Sequence, residues 1–375
     1  MSEHSRIAPS SAARVIQCPG SLVAEETHPP FEEDPSAAEG TAAHWVLQSM
    51  IAGTTPLLSV PAPNGVMVVQ EMIDCADVAI ETMLTELMGH GLTLADLAVE
   101  AQLSIPRVHP LCFGTPDARA WAPGARPTLL LFDYKYGHGS VEVYENPQLA
   151  AYACGAISAT KISDLGIDVH MCIIQPRSFH RDGVARWWRT TAGDLRGIIN
   201  LDHAAAEVAL LPNPRFTTGP ECKNCTARHA CPTLQRVASH CIDESGKMSP
   251  ACMDAAAVGV ELTVLTAAAA RLEARKTGLE AQATMLLRSG AGTVPGWALE
   301  SGLGRRVWAK PDADVIAMGK LLGVDLAKPP AAVTPKQSLD LGFNEGLVAS
   351  LSAQKRSAVA LVPDDGSAAR KAFLS

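Results

Sequence analysis

Residues 114–152 read GTPDARAWAPGARPTLLLFDYKYGHGSVEVYENPQLAAY, and the reading of this stretch decides the fold. Leu129–Phe132 is an apolar run, and it ends in an acid and a lysine two positions apart, Asp133 and Lys135. Charges are costly to bury unless paired or bound to metal. The alternation of a strand puts Asp133 and Lys135 on one face and Tyr134 on the other. APGARP is a turn-forming cluster, so the run before it and the run after it predict an antiparallel hairpin. With its centre at Ala125, Asp117 faces Asp133, with Cβ atoms about 5 Å apart. Two facing carboxylates repel, and a divalent cation is the simplest compensation.

Working outward, strands are predicted at about 97–105, 111–121 and 128–136, then at 169–175 and 184–190. ENPQLAAYACGAISAT reads as a helix on which Gln148 and Tyr152 share one face. Upstream, a short helix ends at Cys18. A second helix starts with Ser36 and Glu39 as a capping box and carries His44, and a long amphipathic helix follows in GVMVVQEMIDCADVAIETMLTELMGHG. Downstream, helices are predicted over 192–211 and over 253–287. The expected architecture is α/β, with a central mixed sheet flanked by helices. The expected organisation is a main domain over 1–240, a long helix or helical arm over 241–290, and a small C-terminal region over 291–375.

The chain has 375 residues, 47% of them hydrophobic, enough to fill a core. No uninterrupted apolar run reaches the ~18 residues of a membrane span, and the first residues lack the pattern of a signal peptide. These features predict a cytoplasmic protein with no membrane partner. The net charge is −8, so a nucleic acid would be held by a local basic groove and not by the overall field. Arg177, His180, Arg181, Arg186 and Arg189, with Trp187 and Trp188, are candidates for such a groove, with a packed, solvated face as the plain alternative. His138 fits a turn beside the acidic pair, and Arg271, Arg275 and Lys276 fit ordinary exposed helix positions.

Ten cysteines without a secretory signal point to buried thiols or metal ligands. Cys75, Cys112, Cys154, Cys172, Cys241 and Cys252 read as structural. Cys222, Cys225 and Cys231 form a CxxCx5C array in a polar, turn-rich segment, which predicts a metal centre; spacing alone leaves structural Zn²⁺ and iron–sulfur open.

The motif order is GxxxH (Gly40 to His44), GxxD (Gly114 to Asp117), DxK (Asp133 to Lys135) and QxxxY (Gln148 to Tyr152). In this order the sequence resembles the RecB-like branch of the PD-(D/E)XK nuclease superfamily, most closely phage and prophage members with fGTxDa, DxKyG and ENPQLxxYAxGA motifs. The resemblance covers roughly residues 5–235 and implies a restriction-endonuclease-like core. It also implies a metal-dependent DNA nuclease, an exonuclease of phage recombination or DNA processing in a bacterial host cell. His44, Asp117, Asp133 and the Tyr134 carbonyl would hold Mg²⁺ or Mn²⁺, and Lys135 would be the catalytic lysine. Gln148 and Tyr152 would position DNA or organise the site, while Glu100 has no firm role. AddB-type and CRISPR-associated relatives place one cysteine before and three after these motifs, which implies a [4Fe–4S] cluster on Cys18, Cys222, Cys225 and Cys231. The partner implied is DNA, with a recombinase or single-strand annealing protein on the long helix and C-terminal region. A noncatalytic DNA-binding subunit on the same scaffold is the alternative function.

Overall fold

The computed structural model describes residues 5–31, 35–160, 162–163, 166–245 and 254–299. The expected C-terminal region, from residue 300 on, and Cys252 lie outside the described residues. The fold is α/β, and its centre is a five-stranded mixed sheet in the order β1-β4-β5-β6-β7. These strands are β1 (Ala98–Val99), β4 (Ala118–Ala122), β5 (Thr128–Tyr134), β6 (Asp168–Ile174) and β7 (Ala185–Thr191). A separate two-stranded ribbon pairs β2 (Leu103–Ser104) with β3 (Phe113–Gly114). The long strands predicted upstream of the hairpin are therefore broken into short pieces, as the prolines at 106, 110 and 116 require.

β5 is buried along its whole length. Leu129 and Leu131 face one core, and Leu130, Phe132 and Tyr134 the other. That double burial is why the run is continuously apolar instead of alternating with polar residues. The hairpin register pairs Ala118 with Phe132 and Arg119 with Leu131, so the predicted centre at Ala125 holds. β5 pairs in parallel with β6, and the crossover between them contains α5 (Pro147–Ser158).

One face of the sheet is covered by α5, α1 (Ala12–Gln17) and α6 (Arg196–Ala209); the other is covered by α3 (Pro35–Ile51) and α4 (Gln70–Gly89). α3 already includes Pro35, so Ser36 stands inside the helix and not at its cap. α4 begins at Gln70, because Met67 is held by a bridge to Pro61. A short α2 (Ser21–Thr27) leads away from Cys18.

After α6 the cysteine segment forms two short 3₁₀ turns, followed by α7 (Pro232–Ser245), which the sequence reading did not separate, and α8 (Ala255–Ser289). Asp254 caps α8 by accepting from the Ala257 N–H. α8 is not a free arm: Arg271 donates to Thr218, and Arg275 donates to the carbonyls of Arg228 and His229. These two arginines, expected to be ordinary surface positions, pin the helix to the cysteine segment. By length and composition alone α8 is also apolar enough to cross a membrane. Its many alanines raise the average without making the continuous apolar run sought in the sequence.

Asp202 of α6 is 2% exposed, and its Oδ1 has no hydrogen-bond partner. Burial pushes its carboxyl up to about 6. Between about pH 4, where an unfolded aspartate ionises, and about pH 6, the folded chain keeps a proton that the unfolded chain has lost. Stability therefore falls as pH rises through that window, by roughly 3 kcal/mol once complete. Asp202→Asn should accordingly raise unfolding free energy at pH 8 by about 1–2 kcal/mol, the rest being withheld by an amide still short of partners. The gain should vanish near pH 4, and denaturant melts at the two pH values check both halves.

Candidate functional site

At Tyr134 the β6 side of β5 keeps its backbone pairing, the Lys135 N–H donating to the Ile174 carbonyl, while on the β4 side a side chain takes over. The Tyr134 N–H donates to Asp117 Oδ2 at 2.6 Å, and Asp117 Oδ1 pairs with His44 Nδ1 at 3.1 Å. Asp117 stands one residue before β4, so the hairpin register delivers it to the end of β5 beside Asp133. His44 arrives from α3 on the Tyr134 face, with the two rings 5.3 Å apart. On the other side, Lys135 Nζ lies 2.9 Å and 3.1 Å from the two oxygens of Asp133. Gln148 Nε2 donates to Asp133 Oδ1 at 3.4 Å. Tyr152, one turn along α5, is hydrogen-bonded to Gln148, and burial pushes its phenol up to about 12.

The ENPQ motif has a local explanation. Asn146 is the N-cap of α5, its side chain accepting from the Gln148 and Leu149 N–H groups, with Pro147 in the first turn. Gly114 is required because a Cβ there would come within 2.8–2.9 Å of Pro9 and Tyr152. Gly155 is required because a Cβ would meet Ile105 at 2.9 Å. Gly40, by contrast, faces open space.

Glu100 completes the group. Its N–H donates to the Asp117 carbonyl at 3.0 Å, and its φ of 47° is a left-handed conformation unusual for a glutamate. The donor atoms of His44, Glu100 and Asp117 all lie within 4.8 Å of one another. Sequence reasoning left Glu100 without a role because nothing in LAVEAQL announces the kink that turns it toward Asp117. Asp133 does not belong to this three-donor group, since both its oxygens face Lys135. The contact seen at Tyr134 is its amide on Asp117.

Burial pushes Asp133 above the usual carboxylate range and the Asp117 charge adds to this, with Lys135 opposing. Burial also acts on Asp117, but the His44 and Lys135 charges and the Tyr134 amide outweigh it and hold Asp117 below that range. Burial and the charge of Asp117 push Glu100 up. Three carboxyl groups thus crowd a site shared with His44 and Lys135, and one imidazole with two carboxylates is a donor set that suits Mn²⁺ and accepts Mg²⁺.

Of the basic residues that are candidates for a groove, Arg181 and Arg189 are exposed, while Arg177 and Arg186 are spent inside the molecule. Arg186 is buried and donates to the Val141 carbonyl and Gln175, Trp188 is buried, and Arg177 pairs with Glu39 and lies over Tyr136. His138 bonds Arg177, as a turn residue beside the site.

Cys18, Cys222, Cys225 and Cys231 line one cavity, with about 360 Å³ of empty space including its mouth. Backbone N–H groups of Thr217, Gly219 and Leu234 point at the sulfurs of Cys18, Cys222 and Cys231 at 3.4–3.5 Å. A tetrahedral zinc with Zn–S of about 2.3 Å holds its sulfurs roughly 3.8 Å apart. Among the described residues, two groups of three or more donor atoms lie within 4.8 Å of one another, and neither is made of these thiols.

A family model described as a protein of unknown function (DUF2800) matches residues 4–325. The crystal structure of SSO0001 is similar over 62% of this chain and 88% of its own, at 16% identity and a TM-score of 0.31. A likeness at that level bears on neither the fold nor the chemistry.

The glycine contacts separate two motif positions by experiment. Gly114→Ala should destabilise the chain by about 1–3 kcal/mol through forced displacement of Pro9 and Tyr152. Gly40→Ala, in open space within α3, should be neutral or stabilising by up to about 1 kcal/mol. Denaturant midpoints of the two variants give the comparison.

Proposed function

The chain belongs to the DUF2800 family, and we propose that it is a metal-dependent deoxyribonuclease that hydrolyses phosphodiester bonds, acting as an exonuclease. One observation carries the reading: His44, Glu100, Asp117, Asp133 and Lys135 converge at the end of β5 from four separate stretches of sequence. Mg²⁺ or Mn²⁺ held by His44, Glu100 and Asp117, with Asp133 beside them, would supply a Lewis acid and a water of lowered pKa.

The protein's own groups do the rest. Lys135, gripped by both oxygens of Asp133, is an ammonium, so its part is to face negative charge developing on the phosphate and not to take a proton. Gln148 and Tyr152 fix the carboxylate that fixes the lysine. His44 and the Tyr134 amide fix Asp117, so its oxygens are set before any substrate arrives.

For the four thiols we propose a [4Fe–4S] cluster. The support is the convergence of the four cysteines on one cavity and the three backbone amides aimed at sulfur, which suit cluster thiolates. Such a centre would join Cys18 to a segment some two hundred residues later, closing a long loop.

Protein purified without oxygen and supplied with Mg²⁺ or Mn²⁺ should degrade linear DNA and spare circular DNA. Lys135→Ala should cut the rate by about 10²–10³-fold, and Asp133→Asn should abolish it. Undiminished cleavage by Asp133→Asn would sink the assignment. DNA binding with no degradation in either metal would replace it with a binding scaffold. In the same preparations Asp133→Asn should keep its iron and Cys225→Ser should lose it; stoichiometric zinc without iron would overturn the cluster.

A further inference from the structure

A second group of metal-ligating side chains lies away from the nuclease residues. Glu86 and His90 stand four positions apart near the end of α4, and His170 projects from β6 toward the same point; their donor atoms lie within 4.8 Å of one another. His170 is registered against Leu130 of β5, three residues before Asp133 and on the α4 face of the sheet, whereas Asp133 points to the other face. The side chains of Glu86, His90 and His170 are 14%, 26% and 19% exposed, enough for an ion to enter and too little for three freely moving groups.

Ordinary hydrogen bonding explains part of this arrangement. Glu86 Oε2 accepts from Arg189 Nη2 at 3.0 Å, and Oε1 lies 2.9 Å from His170 Nδ1. It does not explain His90, whose Nε2 stands 3.6 Å from the same Oε1, beyond a hydrogen bond. Two ligands on one tetrahedral ion with bonds of about 2.0–2.1 Å are separated by roughly 3.4 Å. The separations of 2.9 and 3.6 Å bracket that value.

We infer that Glu86, His90 and His170 form a binding site for a zinc-class divalent transition metal, with a fourth position left to water. Two imidazoles and one carboxylate select such an ion over Mg²⁺ or Ca²⁺, which take oxygen ligands. Arg189 holds the second carboxylate oxygen and is itself steadied over the Trp187 ring, 4.9 Å from its centroid. It occupies the outer position that orients a metal-bound carboxylate. The ion would fasten the end of α4 to the middle of the sheet, linking residues 80 and more positions apart. Neither a lysine nor a second carboxylate stands beside it among the contacts these residues make, so the acid–lysine arrangement at the end of β5 is not repeated here.

The test uses the full chain carrying Asp117→Asn with Cys222→Ser and Cys225→Ser, which disable the other three-donor group and the four-thiol site. With Co²⁺ as probe, this protein should bind one ion with visible d–d bands and without the near-ultraviolet charge-transfer absorption of thiolate ligation. With Zn²⁺, its thermal midpoint should rise, and Mg²⁺ should leave it unchanged. Adding His170→Asn should weaken Zn²⁺ binding at least about tenfold. His90→Asn, at a partly exposed helix end where folding is undisturbed, should do the same while leaving the metal-free midpoint in place. Equal Zn²⁺ affinity with and without these histidines, or a cobalt spectrum of thiolate type, would overturn the site.

Discussion

The structure turns on the carboxylate of Asp117. Where β5 runs out of strand partners, Asp117 accepts the Tyr134 N–H at 2.6 Å with one oxygen and holds His44 with the other at 3.1 Å. Those two contacts tie the central strand, the hairpin beside it and α3 into one corner. They also leave Asp133 and Lys135 projecting from the opposite face of the same strand end. A buried carboxylate with charge-assisted partners is strongly specified in position. The position of Glu100 follows from it, because the Glu100 N–H is bound to the Asp117 carbonyl.

The parts of this corner legible in the sequence were those that obey a period. Alternation along 128–134 and a turn-forming cluster were enough to fix the hairpin register, and register alone brought Asp117 opposite Asp133. The burial of β5 on both faces was likewise written in an apolar run without polar interruptions. Glu100 was not legible, because its place depends on a left-handed backbone angle at a glutamate and on the break between β1 and β2. No pattern of residue types encodes that break. The same holds for His170, which looks like any polar residue on a strand until α4 is laid across it.

The basic residues divided between the two readings left open for them. Composition and clustering made 177–189 look like a surface for a polyanion, yet Arg186 and Arg177 are used to satisfy internal carbonyls and carboxylates. Arginine with its fork of donors is as useful for stitching loops to a sheet as for gripping phosphate. Sequence cannot separate the two uses, because the partners of Arg186 are backbone carbonyls, and every sequence has those. Arg271 and Arg275 repeat the lesson on α8, where exposed-looking charges anchor a helix whose own apolar stripe is largely uncovered.

Among the described residues, two groups gather three imidazole and carboxylate donors at one point, and their surroundings assign them different work. Around Glu86 the remaining carboxylate oxygen is taken by Arg189, and neither a lysine nor a second carboxylate stands beside the group among the contacts these residues make. Around Asp117 the neighbouring strand end supplies a second carboxylate, and that carboxylate carries an ammonium which is a quarter exposed. A cation placed at the first group would find three ligands with no lysine or further carboxylate beside them. At the second it would find acid, lysine and an opening side by side, and the hydrolytic chemistry proposed for this protein needs all three. The difference lies less in the ligands than in what Gln148 and Tyr152 hold in place next to them.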